Sequence, residues 1–435
     1  MSSEWPIVRG MLSTFFNLKA THYSPLTTQT TRAAKRDVSH YSQLTTHNMI
    51  AAAKRLESVN EYYFAGKLRE IAQMQREGKP VLNLGIGSPD LPPHPSVLEA
   101  LHQGAANPKG HGYQSYTGIP ALREAWANWY ARYYQVSLNP DNQILPLIGS
   151  KEGIVHVAMA FLEPGDIALV PNPGYPAYSA ATQLAGASVQ LYELHSDNNW
   201  LPDFETLEKS DLSRVKVLWA NYPHMPTGAP GSAAVFQQLV DFGKRHNILI
   251  INDNPYSFIL NKHPRSILAA DGAAEIALEL NSLSKSHNMA GWRVGMVAGH
   301  PEYLKSVLRF KSNMDSGQFQ PVQLAAVQAL QLSPDWYEGL NNTYKERQNV
   351  AFQILESIDC VFDNQQQGMF VWAKIPDHYA DGYALSDELL YERHVFLTPG
   401  GIFGSNGNRY VRISLCSDVN TLQTALQKIQ STLVI

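Results

Sequence analysis

The sequence predicts an α/β protein built on a largely parallel sheet with helices on both faces. Three observations carry this. From about residue 95 onward, amphipathic helical stretches alternate with short apolar runs bounded by Gly, Pro or Asn, the rhythm of βαβ units. Polar residues crowd the ends of those runs. A chain of 435 residues is also long for one minimal core, which favours two domains or one large α/β unit with an appended lobe.

Taken in order, the first element begins at Met49, where Ile50, Ala53, Leu56, Tyr63, Leu68 and Ile71 recur at helical spacing. Folding is expected to start there. Six apolar runs then read as strands, at 143–147, 167–170, 215–220, 248–251, 275–280 and 293–297. Behind the first five stand Gly149-Ser150-Lys151, Asn172-Pro173-Gly174-Tyr175, Asn221-Tyr222-Pro223, Asp253 with Tyr256, and Ser282 with Lys285. Ligands of open α/β sheets bind outside the carboxyl ends of the strands, so these five clusters are expected to share one crevice. Gly149 to Gly153 opens a helix through Ile154, Val157 and Ala160. Its first-turn N–H groups can cradle a phosphate, or the glycine merely starts an ordinary helix. There is no internal repeat.

Charge and composition narrow the partners. Against 38 acidic residues stand 34 Lys and Arg, a net charge of -4, so nothing global steers the chain to nucleic acid or to an anionic membrane. A small-molecule substrate is expected. Cys360 and Cys416 are the only cysteines, too few for a disulfide framework and without the CxxC spacing of a structural zinc, so no metal is expected and the compartment should be reducing. No run approaches 18 apolar residues and no secretory core opens the chain, which suggests a soluble, cytoplasmic protein. Residues 1–48 differ, with 14 Ser or Thr, acidic residues only at Glu4 and Asp37, and basic ones at Arg9, Lys19, Arg32, Lys35 and Arg36. That suits an organelle transit peptide, but also a loosely packed arm or a start codon upstream of Met49, and the bland reading is preferred. The sequence has no GxGxxG after a strand, no GxxxxGK[ST], no HExxH and no GxSxG, which removes the nicotinamide, nucleotide, zinc-protease and serine-hydrolase readings.

One lysine stands out. Lys285 lies in Ser-Leu-Ser-Lys at 282–285, followed by Gly-Trp-Arg-Val-Gly at 291–295. This pattern resembles the cofactor-lysine signature of class I/II aminotransferases, pyridoxal-phosphate enzymes of fold type I. The resemblance covers residues 50–435, with LGIGSPDLPP at 84–93, YQSYTGIPALREA at 113–125, NPGYP at 172–176, DNPY at 253–256 and PGGIFG…RYVRIS between 399 and 414 in family order. It implies a mostly parallel central sheet in a large cofactor-binding domain, 91–329, and a smaller α+β domain made of 49–90 and 330–435.

The chemistry suits those residue types. A desolvated lysine has a lowered pKa, condenses with an aldehyde and, once displaced, shuttles a proton, the role implied for Lys285. Asp253 would keep the pyridine nitrogen protonated, Tyr256 would donate to the phenolic oxygen, and Tyr175 would stack on the ring. Ser282 and Arg293 match phosphate ligands, joined by Ser150 and Lys151 at the helix start, and Asn221 is expected among the cofactor contacts. Arg412 would clamp the substrate α-carboxylate, with the Gly87 backbone and Met225 beside it; without that context Arg412 would be a solvated strand residue. Tyr113 matches the tyrosine that reaches the neighbouring subunit's cofactor phosphate, which implies a homodimer with shared active sites.

Two departures matter. The usual Asn-Pro-Thr-Gly reads Met225-Pro226-Thr227-Gly228, and the segment 312–323 has no arginine for a second carboxylate. The chain thus resembles the diaminopimelate, alanine and methionine aminotransferase branch more than the dedicated aspartate enzymes. The expected activity moves the amino group of an L-amino acid to a 2-oxo acid in a ping-pong cycle. Alternatives are a β-lyase and a cofactor-binding regulatory protein.

Overall fold

The computed structural model describes residues 50–57 and 63–431. The expectations for 1–48, and for Met49 as the start, lie outside them. The unit from Ala53 to Ile435 is organised by three sheets. The largest comprises β2 (Ile144–Leu147), β3 (Ile167–Asn172), β4 (Ser188–Glu193), β5 (Val215–Ala220), β6 (Leu249–Asp253), β7 (Ala277–Ser282) and β8 (Gly295–Gly299), in the order β2-β8-β7-β6-β5-β3-β4. β8 runs antiparallel to both neighbours and the other ladders are parallel. In the second sheet β9 (Val361–Phe362), β10 (Phe370–Lys374), β12 (Thr398–Pro399) and β13 (Tyr410–Ser414) follow the order β12-β13-β10-β9. β1 (Leu82–Asn83) and β11 (Val395–Phe396) form a short parallel pair.

The strand composition explains this layout. β3, β6, β7 and β8 are buried at every residue, as inner strands covered on both faces must be, and are correspondingly rich in Ile, Leu, Val and Ala. Helices with proline in their first turn, such as Pro176–Leu184 and Pro301–Lys311, or with a capping Ser or Asp, such as Ser232 before Ala233–His246, supply the cover. One core, with Leu147, Val157, Trp219 and Ile251, fills one side of the large sheet, and another, with Leu169, Leu218, Phe242 and Ile250, fills the other. A third packs the second sheet against the helices Pro334–Glu356 and Val419–Gln430. Both cysteines are buried, and burial pushes the Cys360 thiol up to about 12.

The structure corrects the sequence reading in three places. β4 was not expected: it is the sheet's edge, its residues alternate in polarity, and Leu191 stays about half exposed, so it lacks the apolar run of an inner strand. The stretch expected as a strand from residue 275 begins as the helical turn Ala273–Ile276, and β7 extends two residues further, to Ser282. Over the described residues 50–57 the helical spacing makes no α-helix. Ile50 and Leu56 are exposed, only Lys54–Leu56 forms a 3-10 turn, and the regular helix described is Tyr63–Arg76.

An ion pair ties the second sheet to the segment 84–93. Arg347, in the helix Pro334–Glu356, donates both terminal nitrogens to Asp90, at 2.7 and 2.8 Å, and one of them also to the Leu415 carbonyl at 2.9 Å. The arginine side chain is 3% exposed and the aspartate 32%. Stranding one member of a fully buried pair costs roughly 3–5 kcal/mol, and less where the stranded group reaches water. Asp90→Ala, which strands the buried guanidinium, is therefore expected to lower the urea unfolding midpoint more than Arg347→Met, which leaves the part-exposed carboxylate. The reverse order would show that the pair does not carry this load.

Candidate active site

A cavity of about 530 Å³ opens at the carboxyl ends of the parallel strands. Of the residues singled out from the sequence, Gly87, Ser150, Lys151, Tyr175, Asn221, Met225, Asp253, Tyr256, Ser282, Lys285, Arg293 and Arg412 all line it. Tyr113 does not; it stands 95% exposed outside the cavity.

The floor is built by strand ends. Asp253 closes β6 and is buried, with one carboxylate oxygen accepting from the Tyr178 hydroxyl at 3.0 Å and the other without a hydrogen-bond partner. Burial, opposed by that tyrosine bond and reinforced by buried Glu279, raises its pKa to about 7. Tyr178 is held in turn by stacking on Trp219, 5.2 Å between ring centroids. The Asn221 amide donates to the Asp253 carbonyl and accepts from Met225 N–H at 2.8 Å, fixing the turn after β5.

One end of the cavity is an anion cradle. Gly149, with φ +83°, precedes the helix Ser150–Phe161, and a side chain on it would meet the Arg293 guanidinium 2.1 Å away. Ser282 caps the turn Leu283–Ser286, donating to Ser284 Oγ at 2.8 Å and accepting from Ser284 N–H at 3.0 Å. Arg293 is anchored on the Ala290 carbonyl at 2.8 Å. A helix N-terminus with Lys151 and Arg293 beside it can hold an anion such as a phosphate.

The opposite wall comes from the second sheet. Arg412, in β13, is 3% exposed, so the solvated reading of its strand fails. Its guanidinium lies over Phe370 at 3.8 Å and Phe403 at 4.6 Å, donates to the Gly85 carbonyl at 2.9 Å, and points a second nitrogen at Met225 Sδ, 3.3 Å away. Lys285 donates to the Gly87 carbonyl at 2.5 Å. Burial, with Arg412 and Arg293 nearby, holds its pKa below the ordinary lysine range. His224, next to Met225, bonds Thr227 at 2.8 Å and lies off the cavity wall, so it gives the cavity no donor in place of the missing asparagine.

Sequence reasoning missed Tyr178, Ser284, Phe370 and Phe403. Tyr178 carried a signal, three residues after Tyr175 on one helix; the two phenylalanines, inside apolar segments, read only as core. Among the described residues, Glu152, His156 and Asp315 form the one group of metal-ligand types, and Lys311 already sits on Asp315 at 2.5 and 2.7 Å.

The residues fit pyridoxal phosphate. The unpaired Asp253 oxygen offers a buried carboxyl partner for a ring nitrogen, the cradle suits the phosphate, and Lys285 is the near-desolvated amine that an aldehyde requires.

Comparison with known proteins agrees. Residues 79–429 match the family described as aminotransferase class I and II. An LL-diaminopimelate aminotransferase of Dehalococcoides mccartyi is 41% identical over 379 residues, 87% of this chain and 97% of that one. Another, of Aquifex aeolicus, is 37% identical over 385 residues, covering 88% and 99%. The substrate-bound structure of BacF from Bacillus subtilis superposes with a TM-score of 0.84 at 36% identity, over 88% of this chain and 98% of the other. These relatives favour amino-group transfer over the lyase and regulatory readings, and lie nearer the diaminopimelate branch than the aspartate one. The chain belongs to the class I and II aminotransferases and is a pyridoxal-phosphate-dependent transaminase of fold type I.

Proposed function

We propose that Lys285 takes up and returns the proton at the substrate Cα while Arg412 holds the α-carboxylate, so that an L-amino acid gives up its amino group and a 2-oxo acid receives it in the second half of the cycle. What supports this is one peptide: Gly85 and Gly87 present carbonyls to Arg412 and Lys285 respectively, which sets the carboxylate clamp and the base two residues apart on a common support. When bound, pyridoxal phosphate supplies an electron sink for negative charge at Cα. Asp253 would hold its ring nitrogen, Tyr256, Asn221 and Tyr175 would contact the ring, and Ser150, Lys151, Ser282 and Arg293 would hold the phosphate. Burial, with Arg412 and Arg293 nearby, lowers the pKa of Lys285 and so favours the neutral amine that a base must be. The relatives' name would bring LL-diaminopimelate to this cavity as substrate.

The large domain is proposed as 91–329 and the small one as 49–90 with 330–435. A homodimer is proposed as well, supported by exposed Tyr113, Tyr116, Met314 and Phe319 on two neighbouring loops; a side chain on Gly317 would lie 2.6 Å from the Ser115 carbonyl. Sedimentation should give twice the 48.4 kDa chain mass, and a monomeric active enzyme would remove the shared-site reading.

Borohydride treatment of the purified yellow protein should leave the cofactor's mass on the peptide containing Lys285. A label on any other lysine defeats the assignment.

Asp253 gives a prediction for the protein stripped of cofactor. Its folded pKa of about 7 lies above the ordinary 3.8, so the folded state keeps a proton that the unfolded state releases. Asp253's own contribution to stability therefore falls as pH rises from about 4 to about 7, by a few kcal/mol in all. Asp253→Asn removes that loss: the unfolding midpoint of the variant should exceed that of the wild type by a margin that widens toward pH 7. A margin independent of pH would show that Asp253 is not held protonated.

A further inference from the structure

The proposal above fixes two parts of an amino acid, its carboxylate at Arg412 and its Cα at Lys285, and leaves the side chain to the rest of the cavity. Ile86 sits between the two fixed points. Its neighbours Gly85 and Gly87 present carbonyls to Arg412 and Lys285, so residue 86 borders the substrate between them. Around it the wall is Phe64, Ala65 and Leu68 from the helix Tyr63–Arg76, with Phe370 and Phe403.

That helix shows which face serves the cavity. Phe64, Ala65 and Leu68 share one side, whereas Lys67 pairs with Glu70 at 2.8 Å and with Asp387 at 3.2 Å, and Glu70 also accepts from Tyr391. Lys67 and Glu70 are thus committed to each other and to Asp387 and Tyr391. Leu68 remains 36% exposed at the rim, an apolar side chain in want of cover. The charged residues lining the cavity, among those described, are Lys151, Asp253, Lys285, Arg293 and Arg412, and each already has a task with the cofactor or the α-carboxylate.

We infer that this end of the cavity, Ile86 with Phe64, Ala65 and Leu68, is a side-chain subsite for large, uncharged apolar amino acids of the class of leucine, methionine and phenylalanine. The inference rests on the transamination reading and on Arg412 as carboxylate clamp. A substrate with a second carboxylate or ammonium, LL-diaminopimelate included, would bring that charge against aliphatic and aromatic walls with no described partner, and buried charges are tolerated only when paired. An apolar side chain instead gains by leaving water and covers Leu68.

The test follows the loss of the cofactor's visible band when the holoenzyme is mixed with single amino acids at limiting concentration. Leucine, methionine and phenylalanine are expected to react with second-order rate constants at least about tenfold above those of aspartate and LL-diaminopimelate, the discrimination a missing apolar contact commonly produces. Leu68→Glu, at a position with enough exposure to leave the fold intact, should cost the apolar donors about tenfold while the resting spectrum is unchanged. The subsite is overturned if aspartate or LL-diaminopimelate reacts faster than every apolar donor, or if Leu68→Glu leaves the apolar rates alone. Failure of all donors to convert the cofactor would instead overturn the transamination reading, and the subsite with it.

Discussion

Everything at the active site depends on how closely the backbone at Gly85–Gly87 approaches the second sheet. A side chain on Gly85 would lie 2.5 Å from the Phe396 ring and 2.7 Å from the Thr398 hydroxyl, and one on Gly87 would lie 2.3 Å from the Phe370 ring. Without Cβ atoms the peptide slides in, and neighbouring bonds fasten it. Leu84 N–H donates to Phe396 at 3.0 Å, Ser414 N–H to Leu84 at 2.7 Å, and the Thr398 hydroxyl to the Gly85 carbonyl at 3.0 Å. Groups more than 300 residues apart in the chain are thereby set at hydrogen-bond distance. Such contacts form only after most of the chain-closure entropy has been lost, so the site is assembled by the completed fold rather than by any local segment.

The second constraint is electrostatic. Asp253 is held out of water beside buried Glu279, and neither faces a cation among the described residues. Glu279 is instead satisfied by three neutral donors, Tyr130, Asn252 and Ile267 N–H, at 2.8 to 3.0 Å. Asp253 has Tyr178 and one open oxygen. The difference marks one carboxylate as structural and the other as waiting for a ligand, a distinction that burial alone does not make.

How much of this the sequence disclosed follows from where each signal originates. Inner parallel strands are covered on both faces and must be continuously apolar, so β3, β5, β6 and β7 and the polar clusters behind them were legible. The edge strand β4, wet on one side, was not. Helical spacing at Ile50 to Leu56 was misleading because periodicity records amphipathicity and not whether a packing partner exists. Arg412 illustrates the limit best. Its alternation with Val411 and Ile413 correctly gave a strand, but the face it occupies is covered by Phe370 and Phe403, and only tertiary structure shows that an apparently solvated side is the interior of a cavity. The family motifs supplied what periodicity could not, and Tyr113 remains the residue whose implied role a single chain does not display.

The guanidinium set over two phenylalanine rings, together with the cradle at the opposite end, has a consequence for encounter rather than for chemistry. Among the described residues the cavity collects three cationic side chains, Lys151, Arg293 and Arg412, against one carboxylate, inside a molecule whose overall charge is -4. At long range the molecule repels anions. Near the mouth, low-dielectric walls concentrate the field of those three groups and oppose that repulsion. An approaching carboxylate or phosphate is thus turned away from most of the surface and drawn in at one place, and because the attraction acts over roughly a Debye length, about 10 Å at 0.1 M salt, dissolved ions set how wide that capture zone is.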